Sequence, residues 1–283
     1  MSRRGVLRTG LVAMLAAACG RRDESRLRAV DPTRYAYGPD PSQFGELYLP
    51  RSGGPFPVIV VIHGGFWRSA YDLSLGTPLA EDLAGRGYAA WNLEYRRLGN
   101  GGGWPTTLQD VADGIDLLAV LAADGSPLDV SRVATLGHSA GGHLAVWAAA
   151  RPGLPAGAPG ADPAVRPSGA LAQAGVLDLH RAADEELGGG ATQELLGGGP
   201  DEVPDRYAVA SPVERVPLGV PVVCVHGRGD TNVPLSQSER YARAATAAGD
   251  SVEVVEVEGD HFVVVDVNSG AWTTIVAKLP GLL

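Results

Sequence analysis

The sequence has few of the residues on which several common kinds of protein site depend. Its 283 residues include two cysteines, Cys19 and Cys224, which are too few for a disulfide framework or a cysteine-rich zinc module. Outside the N-terminus it has no run of lysine and arginine, and its 32 acidic and 23 basic residues give a formal net charge of −9. Nucleic acid is therefore not an expected partner, since proteins that bind it cluster basic side chains against the phosphates.

Motifs that bind metals, phosphates or dinucleotides are also missing, including H-E-x-x-H, the phosphate loop and the glycine-rich dinucleotide fingerprint. We therefore predict no metal and no cofactor. The sequence has no internal repeat, and its 45% hydrophobic and 19% charged residues are ordinary for a globular protein. Its length fits a single α/β domain, because such folds often extend to about 250 residues.

Residues 1–18 have the layout of an export signal. Arg3 and Arg4 precede a short apolar run that ends at Ala18, and this run is far shorter than the roughly 20 residues that a membrane-spanning helix needs. Basic, apolar and small residues in that order are typical of a signal peptide. The arginine pair also resembles the bacterial twin-arginine signal. We therefore expect export to the outer face of the cell membrane or to the periplasm.

Two routes of signal processing remain open. Leu15–Cys19 resembles a lipoprotein box, in which Cys19 is the lipidated first residue of the mature protein, although Leu15 lies one position further upstream than usual. Ala16–Ala18 equally fits the A-x-A site of ordinary signal peptidase. We favour lipidation, because a cysteine at this boundary has no other evident purpose. The membrane is then a partner only through this lipid, and residues 19–34 form a charged tether.

From residue 35 onward, short apolar runs alternate with helical patterns. The run Pro57–Ile62 is rich in β-branched residues, as expected of a strand buried on both faces. Apolar residues between Leu108 and Ala119 recur at helical spacing. Four more apolar runs are predicted strands: 88–93, 133–136, 221–225 and 252–257. This alternation predicts one α/β domain over residues 35–283, a mostly parallel, doubly wound sheet with helices on both faces. Residues 178–211 are predicted to form a small helical insert.

Gly137–Gly141 matches the pattern G-x-S-x-G, with Ser139 at its centre. The pattern is weak by itself in a chain with 39 glycines. Here it follows a predicted strand and opens a helical pattern at 142–147, so Ser139 is expected at a sharp strand-to-helix turn. Free N–H groups at the start of that helix, including that of Ala140, would stabilise a negative charge on an oxygen. The alternative interpretation is an ordinary glycine-rich turn.

The segment His63–Trp67 directly follows another predicted strand and contains two adjacent glycines. Glycine lets a backbone come close to the carbonyl oxygen of a substrate. The backbone N–H groups of Gly64, Gly65 and Phe66 are therefore candidate donors to a developing oxyanion. Trp67 could stack on a substrate ring or pack the loop, and the sequence leaves both roles open.

Asp230 lies just after a further predicted strand, and His261 is the only one of the six histidines that follows it. A carboxylate at a strand end could hold the imidazole of this histidine in one tautomer. Asp178, after an earlier predicted strand, is an alternative acid. It is better placed to cap the helix that follows it.

These motifs resemble the α/β-hydrolases of the esterase and lipase type, in particular the branch that contains kynurenine formamidase (arylformamidase) and the bacterial feruloyl-esterase-like enzymes. The segments that carry the resemblance lie between residues 35 and 280 and are Tyr37–Pro50, His63–Trp67, Tyr95-Arg96, Trp104-Pro105, Asp110, Gly137–Leu144, Ser211-Pro212, His226–Pro234 and Asp260–Phe262. The chain order Ser139, Asp230, His261 is also that of this superfamily. The resemblance implies an α/β-hydrolase fold and a Ser-His-Asp triad.

The expected activity is hydrolysis of carboxylic esters of small molecules through an acyl-enzyme formed on Ser139. The alternative within the same branch is an arylformamidase-type hydrolase of N-formyl amides. A peptidase of the prolyl-oligopeptidase type shares G-x-S-x-G, but the length of the sequence leaves no room for the usual propeller domain. A binding protein without activity would have no need of an intact Ser139, Asp230 and His261. A small-molecule ester or amide is thus the expected partner.

Overall fold

The computed structural model describes residues 31–283. The predicted export signal, Cys19 and most of the predicted tether lie outside the described residues, so these predictions are not addressed by the structure. The first strand begins at Thr33, two residues before the predicted start of the domain. Among the described residues, no helix is both long enough and apolar enough to cross a membrane.

An eight-stranded sheet forms the centre of the described chain, in the order β1-β2-β4-β3-β5-β6-β7-β8. The strands are β1 Thr33–Ala36, β2 Phe44–Tyr48, β3 Phe56–Ile62, β4 Ala89–Leu93, β5 Leu128–His138, β6 Gly169–Gln173, β7 Val222–Gly227 and β8 Val252–Val257. Strand β2 pairs antiparallel with β1 and β4, and the remaining pairs are parallel. The prediction of a mostly parallel sheet is confirmed.

Helices cover both faces of this sheet. They are α1 Thr77–Gly85, α2 Thr106–Ala123, α3 Ala140–Ala150, α4 Leu179–Asp184, α5 Ala191–Leu196, α6 Pro204–Ala210, α7 Ser236–Ala248 and α8 Gly270–Lys278. The central strand β3 shows why: Val58 and Val60 pack in the core with α2 and α3, whereas Ile59 and Val61 pack in the core with α1 and α8. Alternate side chains of one strand point to opposite faces, so an unbroken apolar run requires cover on both.

The helical insert at 178–211 consists of the three short helices α4, α5 and α6. They are separated where the sequence has glycines, and Gly190 and Gly197 adopt left-handed backbone conformations at the two ends of α5. Leu195 and Tyr207 anchor the insert in the same core as α2 and α3. The insert therefore lies on one face of the sheet and belongs to the same domain.

Candidate active site

Ser139 occupies the turn between β5 and α3, as the G-x-S-x-G pattern predicts. Its backbone has a φ of 57° and a ψ of −118°, a combination that a residue with a side chain rarely adopts. The flanking glycines are required by space, because a Cβ at Gly137 would overlap the carbonyl of Gly141, and a Cβ at Gly141 would overlap the carbonyl of Ile62. The turn thus holds a strained backbone at the carboxyl end of the sheet.

The structure brings Asp230 and His261 together from the loops that follow β7 and β8. His261 Nδ1 lies 2.6 Å from Asp230 Oδ2. The other carboxylate oxygen, Oδ1, accepts hydrogen bonds from the backbone N–H groups of Asn232 at 2.8 Å and Val233 at 2.9 Å. A carboxylate can only accept hydrogen bonds, so His261 donates its Nδ1–H to Asp230, which leaves Nε2 of His261 available to accept a proton.

A second histidine, His226, lies beneath this carboxylate at the end of β7. Its Nε2 is 3.3 Å from Asp230 Oδ2 and 2.9 Å from the carbonyl oxygen of Val233, and its Nδ1 is 2.9 Å from Ser238 Oγ. Burial by itself raises the pKa of Asp230, but hydrogen bonds from His226, His261 and the Val233 N–H outweigh it and hold the pKa well below its usual range. Asp230 is therefore ionised. Sequence reasoning assigned His226 no role, and its spacing of four residues before Asp230 was the available signal.

Ser139 and His261 line one cavity of about 100 Å³. The residues that surround it are Gly65, Phe66, Tyr71, Leu75, His138, Ser139, Asn232, His261 and Phe262. Three of them are large apolar side chains that remain substantially exposed, namely Tyr71 at 48%, Leu75 at 47% and Phe262 at 57%. The mouth of the cavity is therefore apolar and open to solvent.

Of the predicted oxyanion donors, Ala140 directly follows Ser139, and Gly65 and Phe66 line the same cavity. A Cβ on Gly64 would lie 3.1 Å from the Cβ of Ser139, so the two backbones approach closely. Within the described chain, the N–H groups of Gly65, Phe66 and Ala140 have no hydrogen-bond acceptor. Free donors beside a nucleophilic oxygen can stabilise the negative charge that develops on a carbonyl oxygen.

Glu94 supports the loop that carries these glycines, and its role was not apparent from the sequence. This buried carboxylate lies 3.0 Å from His63 Nε2 and 2.9 Å from Arg97 Nη1. It also accepts hydrogen bonds from the backbone N–H groups of Leu73 at 3.0 Å and Tyr95 at 2.8 Å. The other ring nitrogen of His63 is 2.9 Å from the carbonyl oxygen of Gly64. These contacts of Glu94 and His63 therefore hold the loop that carries Gly64 and Gly65 in place.

Trp67 is not among the residues that line the cavity. Its indole is 1% exposed and its Nε1–H donates to His143 Nδ1 at 3.2 Å, with the two rings edge to face. His143 Nε2 in turn lies 2.9 Å from the carbonyl oxygen of Ala210. Of the two roles that the sequence leaves open for Trp67, the structure therefore supports packing of the loop. Phe66, its neighbour, is the aromatic residue of this loop that lines the cavity.

Asp178 caps α4, whereas the carboxylate that bonds to His261 is that of Asp230. Its side chain accepts a hydrogen bond from the backbone N–H of Arg181 at 3.1 Å, as expected of an N-cap aspartate. Cys224 is buried in β7, and burial raises the pKa of its thiol to about 12. No group of three or more metal-ligating side chains occurs among the residues that the structure describes.

His138 and His143, on either side of Ser139, are both buried. Desolvation lowers the pKa of His138 to about 3 and that of His143 to about 4. Both imidazoles are therefore neutral near pH 7. His138 lines the cavity beside Ser139, and its ring centre is 4.5 Å from that of His261.

The mostly parallel sheet and the serine at a strand-to-helix turn define the α/β-hydrolase fold. The family model BD-FAE matches residues 46–244, a range that covers more than half of the chain and includes Ser139 and Asp230. The chain belongs to the BD-FAE family, among the α/β-hydrolases of the esterase type. The resemblance to kynurenine formamidase stays a prediction.

One sequence relative supports the same superfamily, and one structural relative shows the same fold. Esterase LipC of Mycobacterium tuberculosis is 26% identical over 249 residues, which are 82% of this chain and 59% of LipC. The chain thus spans less than two thirds of the length of this relative. A truncated carbohydrate esterase from gut microbiota superimposes with a TM-score of 0.75 at 21% identity, over 90% of this chain and 96% of that one.

Esterase 2 of Thermogutta terrifontis is a further structural relative. Its propionate-bound structure superimposes with a TM-score of 0.70 at 25% identity, over 87% of this chain and 91% of that one. Another structure of the same esterase, phosphoramylated by tabun, superimposes with a TM-score of 0.68 at 25% identity and the same coverage.

Proposed function

We propose that this protein is a serine hydrolase that cleaves carboxylic esters of small molecules. The observation that carries the proposal is the cavity in which Ser139 lies beside His261, whose Nδ1 is 2.6 Å from an ionised Asp230. A nucleophile, a base and a group that orients the base are the three components that such catalysis needs. Their arrangement at the carboxyl end of the sheet supports this function.

The reaction begins with Ser139 Oγ, which attacks the ester carbonyl carbon while His261 Nε2 takes its proton. Asp230 accepts from Nδ1–H, so the lone pair stays on Nε2 and the imidazolium that forms is stabilised. Electrons of the carbonyl move to its oxygen, which accepts hydrogen bonds from the N–H groups of Gly65, Phe66 and Ala140. One such donor typically contributes about 3 kcal/mol to the stability of the transition state.

Collapse of the tetrahedral intermediate breaks the bond to the alcohol oxygen, which receives the proton from His261. The acyl group remains as an ester on Ser139. A water molecule then attacks this acyl-enzyme while His261 again takes the proton, and the same oxyanion donors are used. Breakdown returns the proton to Ser139 and releases the carboxylic acid, so that one water is consumed for each ester cleaved.

The relatives support this proposal through what their own names state. LipC is an esterase, and esterase 2 has been seen with propionate bound and in a form phosphoramylated by tabun. Covalent modification by a phosphorus electrophile is typical of an enzyme with an activated nucleophile. Within this class, the apolar mouth formed by Tyr71, Leu75 and Phe262 favours uncharged, apolar esters over esters of carbohydrates.

A substrate panel tests the proposed function with the full chain and its Ser139→Ala variant. The panel contains p-nitrophenyl esters, a feruloyl ester and N-formylkynurenine, and kcat/KM is measured for each. We expect hydrolysis of the esters that is lost in Ser139→Ala. N-formylkynurenine cleaved far faster than every ester would favour the formamidase alternative. Equal rates for the parent and Ser139→Ala would refute the serine mechanism.

We also propose that the enzyme is exported and held at the membrane by a lipid on Cys19. The sequence pattern of Arg3, Arg4 and the apolar run that ends before Cys19 carries this proposal. Cell fractionation tests it: replacement of both arginines by lysine should retain the protein in the cytoplasm, and Cys19→Ala should release the exported protein from the membrane fraction. A Cys19→Ala variant that stays membrane-bound would exclude the lipid anchor and leave export standing.

A further inference from the structure

A second, smaller cavity of about 60 Å³ adjoins the one that contains Ser139. The two cavities share Leu75, His138 and Phe262 as lining residues. The walls of the smaller cavity are otherwise mainly apolar and include Leu79 of α1 and Val265. A substrate at Ser139 therefore has a second, mainly apolar space close to its reacting carbonyl.

The two cavities differ in their access to the catalytic histidine. His261 and Ser139 line the larger cavity and do not line the smaller one. In ester hydrolysis, the histidine must reach the oxygen of the departing alcohol to protonate it. The alcohol therefore lies in the larger cavity, which opens to solvent at exposed Tyr71 and lets the alcohol leave. The acyl group stays on Ser139, and the smaller cavity is the space left for its chain.

We propose that the smaller cavity binds the acyl chain of the substrate and that Leu79 and Val265 limit the length of that chain. This proposal rests on the proposed esterase function. One water-sized group needs about 10–15 Å³, so the smaller cavity of about 60 Å³ accommodates about four to six such groups. A methylene is similar in size. Acyl chains of about four to six carbons thus fit, and chains of eight or more do not.

The chemistry of the walls selects an uncharged chain. Of the polar side chains that line the smaller cavity, His63 is already engaged by Gly64 and Glu94, and His138 Nε2 lies 2.9 Å from the carbonyl oxygen of His261. An ionised acyl group would lose its hydration there without gaining a donor from these side chains, because the remaining ring nitrogen of neutral His138, Nδ1, can only accept a hydrogen bond. An alkyl chain gains from burial, and each methylene that fits should raise kcat/KM about fourfold.

Chain-length profiles of the full protein test this assignment. The probes are p-nitrophenyl acetate, butyrate, hexanoate, octanoate and decanoate, with kcat/KM as the readout. For the parent we expect a maximum at butyrate or hexanoate and a fall of at least about tenfold at octanoate, since the longer chain meets the floor of the cavity. Val265→Phe should move the maximum to acetate, and Val265→Ala and Leu79→Ala should raise octanoate relative to butyrate.

Val267 provides the matched control. It lies two positions after Val265, is also half-buried in the core that contains α1 and α8, and lines neither cavity. Val267→Phe and Val267→Ala should keep the profile of the parent. Val265→Ala and Leu79→Ala enlarge the cavity and are expected to shift the preferred chain length in the opposite direction. They therefore test the proposal even if Val265→Phe does not fold.

A second series separates the acyl side of the ester from the alcohol side. Acetate esters of ethanol, butanol, hexanol and octanol should show the same dependence on alcohol length in the parent and in the Val265 variants. If the Val265 variants change this alcohol series and leave the acyl series unchanged, the cavity holds the alcohol and the proposal is wrong, although the esterase function stands. Unchanged profiles in both series would also overturn it. Rates that do not depend on Ser139 would instead refute the proposed function itself.

Discussion

The side chain of His138 bonds to the backbone of His261, with Nε2 at 2.9 Å from the carbonyl oxygen. Because that oxygen can only accept, the proton of the neutral His138 ring lies on Nε2. The residue before the proposed nucleophile thus holds the loop that carries the proposed base, and links the ends of β5 and β8. This contact positions His261 over the cavity.

Replacement of His138 should therefore impair catalysis through the position of His261. We expect His138→Leu to lower kcat/KM about tenfold or more, since it leaves a buried carbonyl oxygen unpaired. His138→Gln, whose amide can donate to the same oxygen, should recover part of this loss. Measurement of kcat/KM alongside Tm separates the effect from general destabilisation. Equal activities of the Leu and Gln variants at equal Tm would contradict the positioning role.

The strained backbone of Ser139 predicts that replacement by glycine abolishes activity but gives a more stable protein than replacement by alanine. Ser139→Ala and Ser139→Gly should both reduce hydrolysis by about 10³-fold or more. Glycine tolerates a φ of 57° whereas alanine does not. Relief of strain worth about 1–3 kcal/mol should thus give Ser139→Gly a higher Tm than Ser139→Ala, despite the greater flexibility of glycine in the unfolded chain. A lower Tm of the glycine variant would show that the turn stores no strain.

Matched substitutions of Asp230 and Asp178 test which of the two aspartates orients His261. Asp230→Asn should lower kcat by up to about 10⁴-fold, because the amide favours the wrong tautomer of His261. Asp178→Asn should keep near-parent activity and stability, since asparagine is an equally good N-cap. Steady-state kinetics of both variants check this. A large loss in Asp178→Asn with an active Asp230→Asn would reverse the assignment.

The two buried histidines predict a loss of stability under mild acid. An unfolded histidine titrates near 6.5, whereas burial lowers the pKa of His138 to about 3 and that of His143 to about 4. Below pH 6.5 the unfolded chain therefore binds protons that the folded chain does not. The folding stability that depends on keeping these two histidines neutral is fully present above pH 6.5. It decreases as the pH falls toward 4, and each histidine lowers the free energy of unfolding by about 2 kcal/mol at pH 5.

Urea unfolding at pH 7 and pH 5 measures this loss. Between the two pH values, the free energy of unfolding of His143→Gln should fall by about 2 kcal/mol less than that of the parent, because glutamine does not titrate. The amide of glutamine can replace both hydrogen bonds of the imidazole. His180→Gln, at a partly exposed histidine of the insert, is the matched control. Equal pH dependence of the two variants would show that His143 does not carry the effect.

Five of the eight strands could be predicted from their β-branched or apolar runs, because burial on both faces leaves an unbroken pattern. The bounds of strand β6 were not predicted, since its residues Gly169–Gln173 include two alanines and a glycine that lack such a signature. Strands β1 and β2 were missed because an edge of the sheet is partly exposed and its strands are less apolar. Their place in the sheet comes from pairing with β4, a contact between distant parts of the chain.

The sequence by itself determined the local features of the candidate site: the G-x-S-x-G turn at Ser139, the glycine pair at Gly64 and Gly65, and the acid and histidine that follow the last two strands. Only the tertiary structure decided which side chains face the cavity that Ser139 lines. Phe66 and Trp67 are adjacent, and both adopt a positive φ of about 50° that redirects their side chains, so that one lines the cavity while the other is buried against His143. The supporting contact between Glu94 and His63 likewise joins residues that are 31 positions apart and meet because the parallel strands β3 and β4 end at one edge of the sheet.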